Sequence, residues 1–211
     1  MTWVICDWEV KTHIPAIRAA MGAYAPKFTL ELGIGIHSTP VILEYKTKYI
    51  GIENSMEWVD IMRDKVTARF IYHQMTGVDI GTSFHELLQE QKDEISDYYK
   101  RLELPSDRPN LLFVDSWTCN RSLSINALKD RFDIIIYHDS EGIKEYSYDI
   151  IDFKGFNIYT LLSTKTWTGI MIRKKVDKGF ELLSKVTSYL ITSFTDKYPE
   201  SKLQLYEGNS N

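Results

Sequence analysis

Polar side chains with chemistry to offer recur at one kind of place along this chain, directly after a short apolar run. In TLELGIGIHSTPVIL (29–43) Glu31 stands within such a run, and Gly33, Gly35 and Ser38 follow it. Glu53 and Asn54 close YIGIEN, His73 and Gln74 follow RFIY, Asp115 closes LLFV, and His138, Asp139, Ser140 and Glu141 follow DIIIY. Glycines one residue apart after a strand let a backbone approach a ligand, although the same residues serve a tight turn. A dinucleotide fingerprint needs a third glycine where this chain has Ser38, and a P-loop needs a Gly-Lys-Ser/Thr run that is absent. Glu31 would repel a pyrophosphate and suits a ligand carrying positive charge. Glu53, about twenty residues beyond the glycines, is placed to accept hydrogen bonds from ribose hydroxyls. As a strand end it could equally be solvated, and Ser38 could simply cap a helix.

Asp115 and Asp139 close neighbouring apolar runs, and three readings stay open. They could share a divalent cation with His138 or Ser140, since hard oxygen ligands suit Mg²⁺. One of Asp115, His138 and Asp139 could be a general base that takes a proton from a hydroxyl, as a neutral imidazole does near neutral pH. Or the acids could bond to local backbone amides, as Asp commonly does at turns. Arg121 could hold an anionic group or join a salt bridge. Trp117 and Trp167 could stack on a sugar or aromatic ring or fill the core.

The elements that must position these groups alternate. Helices are expected over 12–24, 39–45, 55–66, 84–104, 122–131 and 177–198, from apolar residues at helical spacing. Strands are expected over 28–32, 48–53, 69–75, 107–116 and 132–140. Two more, 156–162 and 167–175, have no helix between them. This order predicts an α/β protein: a three-layer α/β/α sandwich around a mostly parallel, seven-stranded sheet with a C-terminal antiparallel hairpin. Ligands of such sheets bind outside the carboxyl ends of the strands, where the polar residues above gather. A single domain is expected over 1–211, with 1–27 as an N-terminal helical cover and 84–104 as a helical segment over the sheet. EGNSN (207–211) reads as a frayed end.

Bulk properties exclude other classes. A formal net charge of −4 over 211 residues gives no global basic field for a nucleic-acid backbone. No apolar run approaches the roughly 20 residues that span a bilayer. Cys6 and Cys119 form no metal-binding spacing and read as reduced thiols. MTWVICDWEVKTH carries acids where a signal peptide needs a basic segment and an apolar core, so a cytoplasmic location is expected.

LELGIGIHST and YIGIENSMEWVDIM resemble the first two motifs of class I S-adenosylmethionine-dependent methyltransferases, and LLFVDSW…R and DIIIYHDSE resemble their fourth- and fifth-strand motifs. The resemblance runs from about Phe28 to Lys174. It implies S-adenosylmethionine as cofactor, with Glu31, Gly33 and Gly35 around the methionine part. It further implies Glu53 at the ribose and His73 and Gln74 near the adenine, with Ser38, Asn54 and Asp115 also among the cofactor-binding residues. FVDSW and YHDS are also similar to the strand ends that hold Mg²⁺ in the catechol O-methyltransferase-like group. That group has Asp-Asn after its fifth strand; here Ser140 replaces the Asn and His138 precedes the acid. The expected ligands are Asp115 and Asp139, and the expected catalytic groups His138, Asp139 and Asp115. Base-methylating enzymes often carry Asn/Asp-Pro-Pro-Tyr/Phe or Pro-Cys sequences, which are absent, so the expected activity is O-methylation of a small-molecule or sugar hydroxyl. The rival reading is a non-catalytic S-adenosylmethionine-binding or scaffold protein of the same fold.

Overall fold

A computed structural model of the chain describes residues 2–5, 13–79, 81–162, 166–195 and 204–207, with side chains for 13–79, 81–162 and 166–189. In chain order the elements are β1 (Thr2–Ile5), α1 (His13–Tyr24), β2 (Phe28–Leu32), α2 (Ser38–Leu43), β3 (Lys48–Glu53), α3 (Met56–Arg63) and β4 (Phe70–Tyr72). They continue with α4 (Gln89–Arg101), β5 (Asn110–Val114), α5 (Arg121–Leu128), β6 (Ile134–His138), β7 (Phe156–Leu162), β8 (Thr168–Arg173), α6 (Gly179–Thr195) and β9 (Gln204–Glu207).

The strands form one sheet in the order β4-β3-β2-β5-β6-β8-β7-β1-β9. From β4 to β6 every pairing is parallel, and β8 then runs antiparallel between β6 and β7. These seven strands are the expected mostly parallel sheet with its antiparallel pair. β1 and β9 extend it by two, β1 parallel to β7 and β9 antiparallel to β1.

Both faces of the central strands are buried, as a parallel sheet flanked by helices requires. In β5, Leu111 and Phe113 join the core under α1 and α6, while Leu112 and Val114 join the core under α4 and α5. The strand's period of two thus divides one apolar run between two cores.

Two helical expectations change. Residues 1–27 hold a strand, β1, paired on both sides by β7 and β9, and a layer helix, α1, instead of a helical cover. α1 buries Ala16, Ile17, Ala20 and Met21 against the sheet and α6. The helix expected over 84–104 is broken: a 3-10 turn spans Phe84–Glu86, the chain is extended at Leu87 and Leu88, and α4 starts at Gln89. Leu87 turns into the core while Leu88 stays exposed, and the Gln91 side chain accepts from the Leu88 N–H to restart the helix.

Cys119 is free and buried; Cys6, residues 196–198 and residues 208–211 lie outside the residues whose side chains or backbone are described, and Glu207 is in β9. Among the described residues no helix is long and apolar enough to cross a membrane.

Candidate functional site

β2 is where the sheet changes direction: β3 and β4 follow on one side, β5 and β6 on the other. A crevice at the carboxyl end of such a strand is the expected ligand site, and a cavity of about 470 Å³ opens there. Gly33, Gly35 and Ser38 line it from the loop after β2, Glu53 from the end of β3, Asp115 and Trp117 from the end of β5, Trp58 from α3 and His13 from the start of α1.

The two loop glycines do different work. Gly33 has φ +83°, and a Cβ there would lie 2.3 Å from the Asp115 carbonyl oxygen. Its N–H bonds to Ile52 and the Asp115 N–H to Leu32, so the ladder runs on past the strand ends. Only glycine allows that turn and that approach. A Cβ on Gly35 would meet nothing nearer than the Ser38 hydroxyl at 3.4 Å. The protein itself leaves that space open on the cavity side.

Glu31 does not line the cavity. Fully buried, it accepts from the hydroxyls of Thr39 and Tyr49 at one oxygen, and the other has no hydrogen-bond partner. The Thr39 hydroxyl in turn accepts from the Gly35 N–H. Glu31 therefore holds the loop from beneath instead of surrounding a ligand directly. Burial pushes its carboxyl up to about 7, opposed by the neighbouring hydroxyls of Ser38, Tyr49 and Thr39. Neither Ser38 nor Thr39 caps α2; the N-cap position is His37, and its side chain makes no capping bond.

Glu53 faces the cavity with its carboxylate fixed by three backbone N–H groups, those of Ile34, Asn54 and Ser55. Burial raises its pKa, opposed by those bonds. Oε1 accepts two of these bonds and Oε2 one, so Oε2 keeps a lone-pair direction for a further donor.

Asn54 and His73 do not reach the cavity. The Asn54 amide donates to the His73 carbonyl and accepts from Asn120, which ties the ends of β3, β4 and β5 together. The His73 ring stacks on Tyr98 with centroids 3.4 Å apart, and burial lowers its pKa to about 4. The aromatic faces at the cavity are instead Trp58 and Trp117.

Asp115 and Asp139 are joined by Arg121. The buried guanidinium donates to Asp115 Oδ1 at 2.9 Å, to Asp139 Oδ2 at 3.0 Å and to the backbone carbonyls of Ser116 and His138. The carboxylate pair expected to hold Mg²⁺ already shares the Arg121 cation. Asp139, at φ +53° just past β6, also accepts from Tyr146 and faces away from the cavity.

His138 Nδ1 lies 3.4 Å from Asp115 Oδ1 and 3.3 Å from Asp139 Oδ1. Burial lowers the pKa of His138, and the bond to Asp115 and the charges of both acids outweigh it, so the imidazole holds its proton more firmly than usual. For Asp115 burial raises the pKa, and His138 and Arg121 bring it below the usual range. His138 does not line the cavity; the His13 ring does, edge-on to His138 with centroids 4.5 Å apart.

His13 is the residue that sequence reasoning missed. It belongs to no strand end, and its only signal was a histidine at the start of a helix. Of the expected catalytic groups, Asp115 faces the cavity, and His138 and Asp139 stand behind it.

No model of a protein family matches the sequence, and no curated protein matches it. Solved structures share its fold. A methyltransferase-like protein from Silicibacter pomeroyi superposes with a TM-score of 0.52 at 15% identity, over 86% of this chain and 98% of that one. An O-methyltransferase from Bacillus cereus, solved in complex with SAH, superposes with a TM-score of 0.51 at 12% identity, over 78% of this chain and 83% of that one. At these identities the likeness is one of architecture: the chain has the fold of these methyltransferases.

Proposed function

We propose that this chain is an S-adenosylmethionine-dependent methyltransferase that methylates a hydroxyl oxygen of a small molecule or sugar. One observation carries the reading. Among the described residues, the cavity at the sheet's switch point is lined by two carboxylates, Glu53 and Asp115, and by no lysine or arginine. Such a lining disfavours a pyrophosphate and suits a nucleoside whose other end is cationic. The open space over Gly35 leaves room for that ligand.

When bound, S-adenosylmethionine supplies a methyl group already activated by its sulfonium. The chain's own residues then have three tasks. The Gly33–Ser38 loop, held from beneath by Glu31 through Thr39, cradles the methionine part. Glu53, immobilised by its three N–H donors, accepts from a ribose hydroxyl at Oε2, and Trp58 and Trp117 offer aromatic faces to the adenine. His13 and Asp115 face the acceptor oxygen, orient it and draw off its proton. Arg121 and His138 position Asp115 from behind.

Calorimetric titration with S-adenosylmethionine, S-adenosylhomocysteine and NAD tests the cofactor. Saturable binding of the first two and silence with NAD is expected; binding of NAD alone would overturn the reading. Release of S-adenosylhomocysteine over a panel of phenols, catechols and sugars tests the acceptor. Tight cofactor binding with no turnover on any hydroxyl would favour the non-catalytic role.

A further inference from the structure

His13, Asp115 and His138 converge from three elements: the start of α1, the end of β5 and the end of β6. One donor atom of each lies within 4.8 Å of the donors of the other two. His13 is 6% exposed, while Asp115 and His138 keep 28% and 12% of their side-chain surface, so the set is enclosed yet borders the cavity.

The donors are two imidazoles and one carboxylate. Imidazole suits zinc and its transition-metal neighbours, whereas Mg²⁺ takes an oxygen shell and keeps its waters. Three protein ligands with one open position is the pattern of a catalytic zinc site. With bonds of about 2.0–2.2 Å, adjacent ligand atoms of a zinc tetrahedron lie roughly 3.3 Å apart. The His138 Nδ1 to Asp115 Oδ1 separation is already 3.4 Å. Arg121 does not block such an ion. It donates to the same oxygen, Asp115 Oδ1, whose other lone pair remains for an ion, and its charge is matched by Asp139, to which it also donates. With Asp115, Asp139 and Arg121 taken together, one negative charge remains for the cation.

We propose that His13, Asp115 and His138 form a three-ligand site for a divalent ion of the zinc type, open towards the acceptor side of the cavity. The site rests on the methyltransferase reading only for its use: an acceptor hydroxyl entering the open position would lose its proton more readily. Its existence does not depend on that reading.

Co²⁺ serves as the spectroscopic probe, added to the metal-free full chain without cofactor. One equivalent should develop the visible d–d bands of a four- or five-coordinate ion, and Zn²⁺ should displace them. Mg²⁺ should not. His13→Ala and, should that variant misfold, His13→Asn should weaken Zn²⁺ binding by at least tenfold in calorimetry. His37→Ala, which alters another cavity histidine, should leave it unchanged. No saturable Co²⁺ spectrum in the wild-type chain, equal loss in His37→Ala, or Zn²⁺ affinity unmoved by loss of His13 would each overturn the site. Titration of S-adenosylhomocysteine on the same metal-free samples separates the two ideas. Cofactor binding without metal binding leaves the methyltransferase reading standing alone, and metal binding without cofactor binding leaves only the metal site.

Discussion

Gly33 and Gly35 sit two residues apart and predict opposite outcomes. Gly33→Ala places a methyl group into the Asp115 backbone at a left-handed φ. It should cost at least about 2 kcal/mol in urea unfolding. Gly35→Ala meets no protein atom closer than 3.4 Å. Its stability should stay within about 1 kcal/mol of wild type, while S-adenosylhomocysteine binding weakens at least tenfold, about 1.4 kcal/mol. Unchanged affinity in a folded Gly35→Ala protein would remove the loop from the cofactor site. Both glycines were legible in the sequence as a pair; their division of labour was not, because it depends on how close Asp115 comes from another strand. Glu31 was legible as an acid beside the loop. That it works from beneath follows from Tyr49 and Thr39 reaching it, which no spacing reveals.

At the scale of elements, the buried acid of β2 and the clamp between β5 and β6 can both be tested. Glu31 titrates about 7 in the folded chain, against 4.5 as its ordinary value. The unfolded chain therefore gives up this proton first, and between those values the folded state holds more protons. Stability from this group is complete below about pH 4.5 and is lost as pH rises through about 7. Wild type should lose stability relative to Glu31→Gln as pH rises from about 4.5 to about 7 in chemical denaturation. His73, lowered to about 4, acts with the opposite sign over its own range and cancels in that difference. Arg121→Met leaves Asp115 and Asp139 without their shared cation. Because both acids are partly exposed, the loss should fall near about 2–3 kcal/mol, below that of a fully buried pair. The regular elements were the most readable part: β2 and β3 have the expected bounds, since continuous apolar runs between turn residues leave little choice. α4 was read too long because Phe84, Leu87 and Leu88 fit a helical stripe, while in the fold Leu87 turns into the core and the chain is extended at Leu87 and Leu88.

For the whole molecule, the alternation of strands and helices was enough for three layers and a parallel sheet, and the hairpin of β7 and β8 was visible in the missing helix. β1 and β9 were not visible. Each has only four residues, and each is a strand only because a partner from the far end of the chain lies beside it. His13 was missed for a related reason: α1 brings it to the cavity only by packing across the sheet, a contact that local pattern does not contain.

The close approach of Gly33 to Asp115 also sets a clock. The loop that would hold the donor is bonded to β3 through Gly33 and Ile52, and the strand end that would face the acceptor to β2 through Asp115 and Leu32, with no room for even a methyl group between the Gly33 and Asp115 backbones. Both amides are tied into the centre of the sheet, so both should exchange slowly with deuterated solvent. The exposed cavity rim, with Ile36 and Trp58 more than a third accessible, should exchange far sooner. Ligands would then enter and leave past the rim while the floor stays still, and the distance between donor and acceptor would be set before either one arrives.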